Sequence, residues 1–313
     1  TDDHTMFICR DIELQRAAEH ARVDRVSCPA DHPPATGLSG DRETATAQAT
    51  AQYLILHEVT EILTDRTLPY IFAYHIEKTG IIIHYSPTLG VMERRAKDAQ
   101  EIEWLQAAQA TTESAMQLAC DLIANANADK DGHLIHDGKI LTSEILRSLV
   151  DIFLLKKDYA NPRSIIACGP IGADCHNYGT GPLLTEQPII VDIFPQNRRT
   201  LYNGDCTRTV VNGPIDEIIQ RMHTAVCEAN SAGCATVRAG VTGEEVHRAT
   251  IQVIKENGYS TGLPTPADPI SFCSMTHGTG HAVGLDVHEP PLLDFGGPEL
   301  IVGDCLTIEP GLY

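Results

Sequence analysis

Three histidines fall within twelve residues in His277-Gly-Thr-Gly-His281-Ala-Val-Gly-Leu-Asp-Val-His288, with glycines between them. Imidazole is the commonest neutral metal ligand and carries protons near neutral pH. Glycine lets backbone and ligand approach closely. Acids stand in comparable settings: Asp192 in the apolar run Pro188-Ile-Ile-Val-Asp-Ile-Phe-Pro195, Asp205 in Gly204-Asp-Cys-Thr-Arg-Thr209, and Glu309 in Thr307-Ile-Glu-Pro-Gly311. A carboxylate is costly to bury unless it is paired or holds a cation. Asp205 follows Asp192 by thirteen residues, across a turn at 196–200. A hairpin there sets the two carboxylates side by side, and a divalent cation relieves their repulsion. The competing reading is a turn-capping Asp beside one paired with Arg208; agreement among the later blocks favours metal. Hard oxygen donors with one imidazole suit Mn(II) or Co(II), with Zn(II) as an alternative, over copper.

In this order the blocks resemble the pita-bread metallopeptidases, the family of methionine aminopeptidase, aminopeptidase P and prolidase, with creatinase as a metal-free relative. GLDVHEPP and TIEPGLY resemble the aminopeptidase P and prolidase branch. The resemblance spans roughly residues 92–313. It implies an α/β (α+β) pita-bread catalytic domain with a pseudo-twofold repeat, and two divalent metal ions. Asp192 would chelate one ion, Asp205 would bridge both, and His281 and Glu309 would bind the second. The spacing between the aspartates is slightly longer than the family's. His288 would contact substrate and help move protons, His277 would line the same pocket, and His176, in Cys175-His-Asn-Tyr-Gly179, would face substrate from the opposite half. For His4, His20, His32, His133, His136 and His223 an ordinary core or surface role is expected.

The chemistry that the resemblance implies is hydrolysis of an N-terminal peptide bond, Xaa-Pro above all, by water activated between two cations. The alternatives are a prolidase acting on dipeptides, a lyase or other hydrolase on the same fold, and a non-catalytic binding module. The ligands present argue against the binding module and against creatinase-like chemistry. The family's fifth ligand, a bridging glutamate, lies beyond the EPGLY block. The resemblance therefore implies a fragment that lacks an acid after Tyr313 and is a poor catalyst by itself.

These residues need elements to position them. Residues 1–90 read as a smaller α/β N-terminal domain, with a helix over 53–63, buried strands at 70–74 and 80–85, and a loop over 29–41. Residues 92–313 form the catalytic domain. A long helix is predicted from Arg94 to about Ile123, with Lys97 and Glu101 as a surface pair of small value. Two more helices start at 141–144 and 241–245 and run to about Asp158 and Asn257. Thr242 and Glu245 match a capping box. The hundred-residue offset between these starts is what two similar halves require. Asn127-Ala-Asp-Lys-Asp-Gly132 imitates a calcium loop, but its twelfth position is Gly138 where a bidentate Glu is needed. A solvated connection is expected instead.

Composition narrows the partners. A chain of 313 residues with 42% hydrophobic content can bury a substantial core, and its formal charge of −19 argues against a general nucleic-acid binder. No apolar run is long enough for a membrane span, and the polar N-terminus has no signal-peptide pattern. Its start at Thr1 leaves a missing leader open. The ten cysteines contain no C-x-x-C pair, so a cytoplasmic, reducing setting is expected. Cys206 and Cys305 read as small buried strand residues. The partner is a peptide substrate, and a homodimer stays open.

Overall fold

The computed structural model describes residues 4–269 and 271–313. The chain divides into two units, Thr1–Met92 and Glu93–Tyr313. Residues 1–3, the start of the polar N-terminus, lie outside the described part. In the first unit, β1 (Met6–Ile8) pairs in parallel with β2 (Arg25–Ser27) around the short helix α1 (Leu14–His20). Helix α2 (Arg42–Leu56) starts where the Asp41 side chain accepts from Thr44 N, and it buries a stripe of alanines. Strand β3 (Glu61–Thr64), helix α3 (Tyr70–Glu77) and strand β4 (Ile82–Tyr85) complete the unit, with β3 and β4 parallel.

Three expectations change here, the first being that the strand expected to be buried within 80–85 forms as β4 but leaves Ile82 and Tyr85 exposed. The helix expected over 53–63 lies earlier, ending at Leu56, and residues 61–64 are strand. Residues 70–74 are helix rather than strand. A short apolar run does not reveal its period by itself. As a helix it sets Phe72 and Ile76 on one face, against Ala51 and Leu54 of α2 and Ile81, while Tyr70 stays exposed.

The second unit opens with a break. A short helix α4 (Val91–Arg95) stops, and Asp98 caps a new helix α5 (Ala99–Ala124) through a full capping box with Glu101. The single long helix expected from Arg94 is therefore two. Between them Lys97 turns inward: its Nζ lies 3.2 Å from Glu289 Oε2, and both side chains are 2% exposed. The expected surface pair with Glu101 does not form; Glu101 instead accepts from the Asp98 N–H.

A three-stranded meander follows: β5 (Asn127–Ala128), β6 (Leu134–His136) and β7 (Lys139–Ile140). The calcium-loop look-alike is the first turn of this meander. Asp129 Oδ1 accepts from Asp131 N and His133 N, so its carboxylate is used by the backbone. Helix α6 (Ser143–Leu155), capped by Thr142, leads through β8 (Tyr159–Ala160) to β9 (Ile165–Cys168). Strand β10 (Ile189–Ile193) lies between β9 and, after β11 (Gln196–Asn197), β12 (Cys206–Val210), antiparallel to both. Apolar side chains of α5 and α6 pack with Ile166, Ile189, Val191 and Ile193 of this sheet as one core.

The second half of the unit repeats this plan. Helices α7 (Glu217–Thr236) and α8 (Gly243–Glu256) pack together and precede β13 (Ser260–Thr261), β14 (Ser274–Met275), β15 (Gly280–Ala282) and β16 (Glu289–Leu293). Thr242 and Glu245 form the expected capping box. The repeat extends to hydrogen bonds: Ser143 N donates to Gly181 O and Leu183 N to Leu141 O, while Gly243 N donates to Pro298 O and Leu300 N to Val241 O. The fold is a mixed α/β pita-bread arrangement of two similar halves. Among the described residues no helix is long and apolar enough to cross a membrane.

Candidate active site

Strand register decides where the first acids stand. Asp192 pairs with Thr207 across β10 and β12, and Thr207 Oγ1 donates to Asp192 Oδ1 at 2.8 Å. Asp205 comes one residue before β12. Its backbone N–H donates to Gln109 Oε1 of α5 at 3.0 Å. Gly204 is required at this point, because a Cβ there would lie 2.2 Å from Thr112 Oγ1 and 2.8 Å from Ala108 O. A hairpin thus presents both carboxylates, as expected; neither is paired with Arg208, whose Nη1 donates to Thr207 O.

The other half supplies His281 on β15 and Glu309 on the segment beside it. Val283 N donates to Cys305 O, Thr307 N to His281 O and Glu309 N to Thr279 O, so residues 305–309 run antiparallel along the edge of β15 opposite β16. Gly280 permits this approach, since a Cβ there would sit 2.2 Å from Thr307 O. Cys305 is only half-buried and belongs to no regular strand, unlike the buried strand residue Cys206.

The geometry brings Asp205, His281 and Glu309 together, with ligand atoms all within 4.8 Å of one another. His281 Nε2 lies 3.2 Å from Glu309 Oε1 and 3.7 Å from Asp205 Oδ2. Its other nitrogen, Nδ1, donates to Ala282 O at 3.0 Å. A neutral ring would therefore aim the Nε2 lone pair at two carboxylates. That arrangement calls for a positive charge between them, a proton or a metal ion. A metal-ligating histidine usually gives its second N–H to such a carbonyl.

The electrostatics agree. Burial raises Asp192 to about 6, with the Glu309 charge adding to it and the Thr207 hydroxyl opposing. Burial, then the charges of Glu309 and Asp192, push Asp205 well above the usual carboxylate range. Burial pulls His281 down, but the hydrogen bond and charge of Glu309 outweigh it and hold the ring above its ordinary value. The donor set fits a divalent cation.

Around this centre lies a cleft of about 2020 Å³, lined by residues of both halves. His288 stands edge-to-face on His281, ring centroids 4.3 Å apart. Burial and the neighbouring His281 lower its pKa. His277 Nδ1 donates to Gly278 O at 2.8 Å, so its Nε2 accepts from Tyr313 Oη at 3.2 Å. His176 sits exposed on the opposite wall. His223, for which an ordinary core or surface role is expected, is exposed on α7 at the edge of the cleft.

Sequence reasoning missed several neighbours. Thr207 holds Asp192, Gln109 holds the Asp205 backbone, Tyr313 frames His277, and Asn230 donates to Ile308 O beside Glu309. His247, buried in α8, contacts Thr279 Oγ1 at 2.9 Å and Asp294 at 3.4 Å. Single residues at no particular spacing give no signal. Only Thr207, in the Gly204–Thr209 block, and Tyr313, at the end of TIEPGLY, lay within recognised blocks.

The family model of metallopeptidase family M24 matches residues 103–313. This chain belongs to metallopeptidase family M24. Its matched region holds all the acids and histidines of the cleft. This M24 chain is 32% identical over 150 residues to a probable dipeptidase PepE of Mycobacterium tuberculosis, covering 48% of this chain and 37% of that protein. It is 32% identical over 161 residues to Xaa-Pro aminopeptidase 1 of Streptomyces coelicolor, covering 48% of this chain and 33% of the relative. These alignments thus span about a third of each relative. Among solved structures, an Xaa-Pro dipeptidase from Bacillus anthracis aligns with a TM-score of 0.80 at 20% identity, covering 100% of this chain and 78% of that one. At that identity the likeness shows the fold.

Proposed function

We propose that this chain carries the catalytic cleft of a metal-dependent aminopeptidase that hydrolyses N-terminal peptide bonds, Xaa-Pro above all. The observation that carries this reading is the His281 ring. Its Nδ1–H is used by a backbone carbonyl, and its Nε2 faces Asp205 and Glu309 in a peptide-sized cleft. We assign Asp192, Asp205, His281 and Glu309 as ligands of two divalent ions, Mn(II) or Co(II), with Zn(II) as the alternative. Bound there, such ions supply Lewis acidity and make water acidic enough to ionise near neutral pH.

The chain's own residues do the rest. His288, with its pKa lowered, is neutral near neutral pH and can accept a proton or pass one to the leaving amine. His277, locked between Gly278 O and Tyr313 Oη, forms a fixed wall for the substrate. His176 faces the substrate from the other half. The ten cysteines are all unpaired, which supports a reducing, cytoplasmic setting.

The names of the relatives include both dipeptidase and aminopeptidase. The test is an assay of Xaa-Pro dipeptides and longer Xaa-Pro peptides with Mn(II), Co(II) or Zn(II) added. Cleavage of the longer peptides supports the proposal. Activity confined to dipeptides selects the prolidase reading. No hydrolysis with any metal, from a protein that binds two ions per chain, would overturn the peptidase assignment.

A further inference from the structure

The loop that carries His288 is held by a buried charge. Glu289, the next residue, is 3% exposed and begins β16. Its Oε1 accepts from the Asp286 backbone N–H at 3.2 Å, and its Oε2 receives Lys97 Nζ at 3.2 Å. Lys97 Nζ also donates to Arg94 O at 2.7 Å. Arg94 extends the clamp: Nη1 reaches Asp286 Oδ2 at 2.8 Å and Nη2 lies 3.6 Å from Glu289 Oε1. The carboxylate thus folds back over residues 284–288 and ties both neighbours of the Val287–His288 pair. Gly284 makes room, because a Cβ there would sit 2.4 Å from Glu289 Oε2.

The other side of this loop rests on the first half. Asn203 donates to Gly284 O through its backbone N–H and through Nδ2, each at 2.9 Å, and Gln196 Nε2 donates to Leu285 O at 3.1 Å. Asn203 lies two residues before Asp205. The His288 loop is therefore set between the Asp205 strand and the Lys97–Glu289 pair. A buried ion pair is weak evidence of added stability, since well-packed apolar residues often replace it at no loss. Its better-supported use is to fix one arrangement among several.

We infer that Lys97 and Glu289 are positioning residues that aim His288 across the His281 ring into the cleft. The inference rests on His288 acting as the proton carrier proposed above. Lys97 itself touches no ligand or substrate site. With Lys97 removed, the Glu289 carboxylate turns toward Arg94, releases the Asp286 N–H, and His288 loses its single orientation.

The test compares K97M, K97R and E289Q with wild type in the same full chain. Two readouts are used besides turnover: metal content by elemental analysis, and the histidine ring signals in a proton–nitrogen spectrum, with His288 assigned from H288Q. K97M should shift or broaden the His288 ring signal, and kcat should fall about 10- to 100-fold at unchanged metal content. K97R should restore most of both, because it keeps the charge. E289Q should fall between, since an amide oxygen still accepts from Asp286. An unmoved His288 signal in K97M overturns the inference, as does activity lost in proportion to metal. If wild type shows no peptidase activity, the ring signal alone decides the positioning role; the functional reading fails only if that protein also binds two ions per chain.

Discussion

At the scale of single residues, the cleft turns on which atoms lack a partner of opposite charge. His281 commits Nδ1 to a backbone carbonyl and points Nε2 at two acids. Asp205 is the acid that faces both Asp192 and Glu309. Asp205→Asn should therefore strip metal as well as activity, and elemental analysis of the purified variant checks this; unchanged metal content would remove Asp205 from the ligand set. His288→Ala makes the opposite prediction. Metal should stay while kcat drops about 100- to 10,000-fold, the usual cost of losing a positioned proton carrier. Equal loss of metal and rate would exchange the roles of His281 and His288. Residue types such as these were legible in the sequence because acids and imidazoles among glycines have few other uses. Thr207, Gln109 and Tyr313 were not, because a hydroxyl or an amide becomes a site neighbour only through strand register and helix packing.

At the scale of elements, what could be read locally was what local chemistry decides. Thr142 and Thr242 cap helices where the sequence places helix starts, because their side-chain oxygens reach backbone N–H groups three residues on; Asp98 does the same, but the apolar period running through it hid that break. Lys97 was unreadable for the opposite reason. Its partner is 192 residues away, and a lysine near a helix start is ordinarily on the surface. Residues 70–77 became helix for packing reasons that no short window holds. A further element-level feature can be tested by pH. Glu144, in the first turn of α6, accepts from Thr180 Oγ1 and Gly181 N. The Thr180 and Thr142 hydroxyls are the main cause of its low pKa, about 2. Its folded-state value lies below the ordinary one of 4.5, so its contribution is present above about 4.5 and is lost as pH falls toward 2. Glu144→Gln should lower the melting temperature at pH 6, and the gap to wild type should narrow as the pH is lowered through 4. A gap that stays constant with pH would mean that the charge of Glu144 contributes nothing.

At the scale of the second unit, two halves with matching hydrogen bonds at Ser143 and Gly243 each bring part of the charge to one cleft. The first half supplies two acids and the second supplies His281 and Glu309. The offset of helix starts hinted at this repeat in the sequence; the matching backbone bonds, which make it a pseudo-twofold, needed the coordinates. Joining the halves therefore concentrates negative charge, and the metal-free protein should register it. Asp192 has a folded-state pKa of about 6, above its ordinary 3.8. Between those values the folded state holds a proton that the unfolded state has released. Its contribution to stability is therefore lost as pH rises through about 6. Asp205, raised further by burial and by its two acidic neighbours, continues the same loss at higher pH. A bound cation takes the place of those protons and should flatten the slope. The measurement is melting temperature from pH 5 to pH 8, with chelator and with Mn(II). With chelator it should fall across that range. With Mn(II) at a hundred times its dissociation constant, the melting temperature at the upper end should recover, each bound ion adding about 2.7 kcal/mol of stability. Asp192→Asn should weaken both the fall and the recovery. A chelated protein whose stability is flat or rises over this range would show that the clustered acids are already compensated by groups within the chain, and the cleft would need no metal to hold its shape.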